Sequence, residues 1–200
     1  MAKSSPSERR TRPGSPRARL FLALEPADAD RAALAAWRDD LVAGREDLRP
    51  VPAESLHLTL VFLGYRPEKE IERIAACALA PIEDARAVDL APLGLKPVPP
   101  RAPRLFALDL DDSGGGAARI HAATAGALAR GGYYRPEKRA WWPHVTLARV
   151  KRGARAAPLE AAPPPGPVRG AAVTLYRSLL RPQGARYEPL ARLDLGPPRG

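Results

Sequence analysis

Two stretches of the chain repeat one another in order and in spacing, and that repetition restricts the folds open to it. Arg19-Leu20-Phe21 opens an apolar run that closes at Leu24, and Arg104-Leu105-Phe106 opens another that closes at Leu110. Each run leads into a helical pattern and then into a second apolar run carrying a His-x-Thr triplet, His57-Leu58-Thr59 and His144-Val145-Thr146. The Arg-Leu-Phe triplets are 85 residues apart (19 to 104) and the histidines 87 apart (57 to 144). A strand, a helix and a motif strand recurring in nearly constant register imply an internal duplication. The expected fold is α+β and bilobal, with two mostly antiparallel sheets and flanking helices around a central cleft.

The local patterns fill in that outline. A helix is expected from Asp28, an N-cap candidate, to Val42, because Leu34, Trp37 and Leu41 fall on one stripe and Gly44 suits the stop. The motif strands are expected at 56–63, ended by Gly64, and at 143–150. Pro67 starts a second helix with Ile71, Ile74, Ala75, Ala78 and Leu79 on one face. Val88 to Leu95 reads as a strand, Pro97 to Pro103 as a stiff connector, and Ala117 to Arg130 as a third helix. Residues 151–167 form a Pro-rich linker. Strands over Val168–Leu180 and Arg186–Leu195 follow, with a turn at Pro182-Gln183-Gly184. Residues 1–18 have no apolar periodicity and read as a disordered basic tail, leaving 19–200 as one domain.

The triplets carry the chemistry. Side chains two apart in a strand share a face, so each triplet presents an imidazole beside a hydroxyl, with Leu58 and Val145 turned into the core. With three histidines and five threonines in 200 residues, two such matches by chance have a probability of roughly 0.2%. Imidazole titrates near pH 6.5, so one histidine can hold a proton while another lacks one. That is what in-line displacement at phosphorus requires of its acid and base. Thr59 and Thr146 can donate hydrogen bonds to non-bridging phosphate oxygens. Alternation turns Arg149 onto the face of Val145 and Leu147 unless the strand bends, so it is either a substrate contact or an edge charge. Arg135, Lys138 and Arg139, with Tyr133 and Tyr134, form a basic loop suited to phosphates and a base, or simply to solvent. His121 reads as a boundary residue, while Trp141 and Trp142 floor the cleft or pack in the core.

Other chemistries fit poorly. One cysteine, one spare histidine and no His-x-His or His-Glu-x-x-His spacing make a zinc site a weak reading, so neither metal nor cofactor is expected. There is no Gly-x-Ser-x-Gly elbow, and Gly114-Gly115-Gly116 lacks the lysine and spacing of a phosphate loop. The formal net charge of +10 favours a polyanionic partner, though residues 1–19 carry half of it. Cys77, in a helical pattern, reads as a half-buried structural thiol. No apolar run approaches the ~20 residues of a membrane span, no leader pattern precedes the fold and the single cysteine suits a reducing compartment, so a cytoplasmic location is expected; a monomer is the expected state.

These residues resemble the 2H phosphoesterase superfamily, and within it the RNA 2′,3′-cyclic phosphodiesterases formerly called 2′-5′ RNA ligases. The resemblance rests on Arg19-Leu20-Phe21, the run His57 to Gly64, and Pro143-His144-Val145-Thr146-Leu147-Ala148-Arg149. Leu175-Tyr176-Arg177-Ser178 and Gly184-Ala185-Arg186-Tyr187 add to it. It implies two motifs facing each other across a cleft. It also implies metal-independent hydrolysis of an RNA 2′,3′-cyclic phosphate end to a 2′-phosphomonoester, with reversible 2′-5′ ligation as a related activity. His57 would then be the proton donor and His144 the proton acceptor, beside Thr59 and Thr146 as the expected substrate contacts and Arg149 in one of its two readings. A non-catalytic module binding RNA ends or nucleotides is the alternative.

Overall fold

The computed structural model describes residues 16–181 and 184–198. Its elements run β1 (Arg17–Pro26), α1 (Asp28–Val42), β2 (Leu48–Pro50), β3 (Leu58–Pro67), α2 (Ile71–Leu79), β4 (Val88–Val98) and β5 (Leu105–Asp111). Then follow α3 (Gly116–Arg130), β6 (His144–Val150), β7 (Val168–Arg181) and β8 (Gly184–Asp194). Among the described residues the elements form a sheet-rich α+β fold with three helices.

Instead of two separate sheets there is one that closes on itself. Its ring runs β1–β3–β6–β5–β4–β7 and back to β1, with β8 added outside β7 and β2 alongside β6. Every strand pairing is antiparallel. Two junctions are narrow. β3 meets β6 through the single pair Leu58 and Val145, and β4 meets β7 only over Val88–Leu90 and Val168–Gly170. The expected two sheets are therefore two halves, β8–β7–β1–β3 and β4–β5–β6–β2, joined at their ends. Sequence periodicity reports strands but not which edges meet, which is why closure was not foreseen.

Leu20, Leu22 and Leu24 of β1, Leu108 and Leu110 of β5, and Val145 and Leu147 of β6 turn inward into one core. They meet Leu34 of α1, Ile74 and Ala78 of α2, and Ile120 and Leu128 of α3 there. Burying each large aliphatic side chain stabilises the fold by about 1.5–3 kcal/mol. The helices cover this face, and the opposite face of the motif strands is left to the cleft.

Several boundaries differ from the sequence reading. β1 begins at Arg17, so the last residues of the expected tail belong to the sheet, with Ala18 buried and paired with Arg66. The remainder of that tail, residues 1–15, lies outside the described residues, as do Pro182 and Gln183 of the expected turn. β3 passes through Gly64, whose φ of 67° absorbs a bulge beside Leu63, and continues to Pro67. Pro67 thus ends a strand, and α2 starts at Ile71 after a 3-10 turn over Glu68–Glu70. Residues 48–50, read as loop because of their prolines, form β2 around the buried Leu48. The 151–167 segment has no regular structure, yet Arg45 pins it by donating to the Ala157 carbonyl at 2.9 Å.

Candidate active site

The one pair that joins β3 to β6 links the middle residues of the two triplets, Leu58 and Val145, both fully buried. An antiparallel pairing centred there sets His57 beside Thr146 and Thr59 beside His144. His57 itself precedes the first residue of β3, a correction to the expected strand start, but Thr59 still follows two residues on. All four side chains line one cavity of about 570 Å³.

Each motif strand carries a bulge immediately after its threonine. On β3, Ala23 faces Thr59 and Leu22 faces Val61, which leaves Leu60 as the extra residue. On β6, Ala107 faces Thr146 and Phe106 faces Ala148, which leaves Leu147 extra. Consecutive residues are therefore buried, Leu60 with Val61 and Leu147 with Ala148, and side-chain parity flips beyond them. Phe62 and Arg149 consequently join the cavity. The placement of Arg149 on the core face by plain alternation is corrected for this reason. Arg149 has no hydrogen-bond or ion-pair partner among the described residues, and it lines the cavity.

The two histidines are held in the same way. His57 Nδ1–H donates to the Ser55 carbonyl at 2.7 Å, and His144 Nδ1–H donates to the Trp142 carbonyl at 2.8 Å. A carbonyl only accepts, so each neutral ring carries its proton on Nδ1 and keeps the Nε2 lone pair for the site. The Thr59 hydroxyl lies 3.2 Å from His57 Nε2. Burial pushes His57 down to about 4 against support from the Ser55 carbonyl and the Glu25 charge. Burial also lowers His144, opposed by its bond to the Trp142 carbonyl and by the Asp109 charge.

Their surroundings differ. The Phe21 ring lies 5.0 Å from His57 and the Tyr187 ring 5.4 Å away, edge on. His144 stacks on Trp142 at 4.0 Å and 16°. Arg19, Arg49, Arg149 and Arg181 line the cavity, and among the described residues no Asp or Glu does. Such a cleft suits an anionic ligand. Among the described residues no group of three or more His, Cys, Asp and Glu side chains is placed to hold a metal ion. A slightly larger cavity, about 610 Å³, lies between residues 80–88 and α3 and includes neither triplet.

The remaining sequence candidates have other places. Tyr133 and Tyr134 are partly buried against the core, Arg135, Lys138 and Arg139 are exposed, and none of the five lines the motif cavity. Trp141 packs against the core and donates its indole N–H to the Thr59 carbonyl at 3.0 Å. His121 stacks on that indole and lies 3.0 Å from the Leu60 carbonyl through Nδ1. Together they occupy backbone acceptors that the single β3–β6 pair leaves open. Cys77 is half-buried, with its thiol 3.3 Å from the Ala127 carbonyl. Sequence reasoning assigned no site role to Phe21, Arg49 or Tyr187. Phe21 lies within the repeated Arg-Leu-Phe triplet, a usable signal, whereas Arg49 and Tyr187 are brought in by β2 and β8 from loop-like or distant sequence.

The chain is similar to known proteins in sequence and in fold. The family model of the 2′-5′ RNA ligase superfamily matches residues 25–181. An RNA 2′,3′-cyclic phosphodiesterase of Aeropyrum pernix is 33% identical over 169 residues, covering 78% of this chain and 92% of that protein. One from Thermus thermophilus is 34% identical over 191 residues, covering 88% and 90%. A crystal structure from Thermus thermophilus superposes with a TM-score of 0.75 at 27% identity, over 88% of this chain and 97% of that one. Escherichia coli LigT in complex with 3′-AMP does so with a TM-score of 0.68 at 25% identity, over 90% and 99%.

Proposed function

The chain belongs to the 2′-5′ RNA ligase superfamily, the 2H phosphoesterases, and from that premise we propose that it hydrolyses the 2′,3′-cyclic phosphate at an RNA end to a 2′-phosphomonoester. One observation carries the reading. Two imidazoles, each with Nδ1 bound to a backbone carbonyl, share one Arg-lined cavity with two threonines.

In the proposed reaction His144 Nε2 takes a proton from a water as its oxygen bonds to phosphorus. The bond from phosphorus to the ribose 3′ oxygen breaks on the opposite side, and that oxygen receives the proton of His57 Nε2. The 2′ ester bond is untouched. Thr59, Thr146 and Arg149 hold the non-bridging oxygens, whose charge grows in the transition state. Burial makes His57 a weak base, hence a ready donor once the bound phosphodiester anion has favoured its protonation. Burial lowers His144 less far, against the Asp109 charge, which makes it the readier acceptor. A 5′-hydroxyl in place of the water would give a 2′-5′ linkage by the same two groups. No step draws on a metal.

The duplicated, bilobal reading of the chain belongs with this proposal. It is supported by the shared His-x-Thr, the carbonyl two residues before each histidine, and the bulge one residue past each threonine. The test is incubation of the purified chain with an RNA ending in a 2′,3′-cyclic phosphate. A 2′-phosphate product supports the reaction, and tight binding without turnover favours the non-catalytic alternative.

A further inference from the structure

We propose that Trp142 and Asp109 act as a clamp that positions His144, resting on the acceptor role given to His144 above. Trp142 holds this histidine twice. Its carbonyl accepts the Nδ1–H at 2.8 Å, and its indole lies against the ring at 4.0 Å, nearly parallel. The imidazole is left with its Nε2 edge toward the cavity.

The indole is itself fixed. Its Nε1–H donates to Asp109 Oδ1, and Asp109 is the strand partner of His144 across β5 and β6. Only 6% of the Asp109 surface is exposed, and its other carboxylate oxygen pairs with Lys96 of β4. The Lys96 ammonium also lies 5.7 Å from the Trp142 ring centroid. A buried carboxylate is costly unless hydrogen-bonded or paired, and here both partners sit around the indole. Asp109 does not line the cavity. Its role is therefore exerted through Trp142 and through its charge.

The charged groups facing His144 are Asp109 from β5, Lys96 from β4 beyond the indole, Arg139 from the preceding loop and His57 across the seam. Asp109 is the one anion among them. It favours the imidazolium that forms when His144 takes a proton, and so raises the basicity of the acceptor. His57 has no such clamp: Phe21 meets it tilted by 33° and Tyr187 edge on at 82°.

Two substitutions separate bond from charge. Asp109→Asn keeps an oxygen for the indole N–H but removes the charge. The NMR titration of His144 is expected to move down by roughly half a pH unit or more. Trp142→Phe keeps a ring face but loses the N–H, and kcat is expected to fall about five- to tenfold with little change in KM. The double variant is expected to lose less than the product of the two, because both act on one contact. Asp109→Glu restores the His144 titration. An unmoved His144 titration in folded Asp109→Asn, together with wild-type kcat in Trp142→Phe, overturns the clamp. If the wild-type chain is inert towards cyclic phosphates, the proposed reaction fails, while the His144 titration still decides the clamp.

Discussion

The two motif strands share a backbone plan and differ in what surrounds it. Each histidine donates to the carbonyl two residues before it, and each threonine is followed by a one-residue bulge. Beyond the bulge, β3 delivers Phe62 to the cleft and β6 delivers Arg149. Behind the histidines, His57 meets the rings of Phe21 and Tyr187, while His144 rests on an indole tied to Asp109. Repeating a backbone plan places two imidazoles symmetrically, but a displacement at phosphorus needs them unequal. The inequality comes from the neighbours. Burial lowers both, against the Glu25 charge at His57 and the Asp109 charge at His144, and takes His57 further, to about 4.

The severest test of this contrast removes each imidazole. His57→Ala and His144→Ala are each expected to lower kcat by about 10²–10⁴-fold while circular dichroism stays native. Full turnover in either folded variant breaks the account. The contrast is sharpened by a substrate whose 3′ leaving atom is sulfur, which departs without a proton. It is expected to rescue His57→Ala but not His144→Ala, and the opposite pattern reverses the two roles.

Arg149→Ala comes next. Loss of a charge-assisted contact to phosphate is expected to cost roughly 10–100-fold in kcat/KM, against a loss of at most about tenfold for Phe62→Ala. Equal losses would mean that the bulges present equivalent contacts. Thr59→Val and Thr146→Val are expected to cost about tenfold each, the signature of neutral hydrogen bonds.

The smallest effects are in pH. The proposed reaction needs one imidazole protonated and the other not, and both are lowered from 6.5 in the free protein. The kcat/KM profile, which reports the free enzyme, is therefore expected to peak below pH 6.5. A maximum above pH 7 contradicts the buried state of the histidines. The same burial affects stability. His57 favours the fold when neutral, so its contribution is complete above about 6.5 and is lost as pH falls towards about 4. Denaturation midpoints across that window check it, with His57→Asn expected to be less acid-sensitive.

Much of this molecule was legible in its sequence where the signal is local. The period of Leu34, Trp37 and Leu41 marked α1, and the same reasoning marked α3 to within one residue. The His-x-Thr pairs named the four groups that line the cleft. What escaped was set by contacts between distant segments. Arg149 changes face because β6 fits one residue more than β5 opposite it, a mismatch that no single-strand period records. Tyr187 reaches His57 only because β8 pairs with β7 and β7 with β1. Asp109 looked like one more residue of an apolar strand until its register set it across from His144.

The central claim is that the two histidines together break the bond from phosphorus to the 3′ oxygen. Its most direct measurement is phosphorus NMR of a short RNA with a 2′,3′-cyclic phosphate end, incubated with the wild-type chain and with each alanine variant. The account predicts conversion to the 2′-phosphomonoester by the wild type and persistence of the cyclic phosphate with His57→Ala and His144→Ala. A 3′-phosphate product, or an intact cyclic phosphate in the presence of the folded wild type, contradicts it.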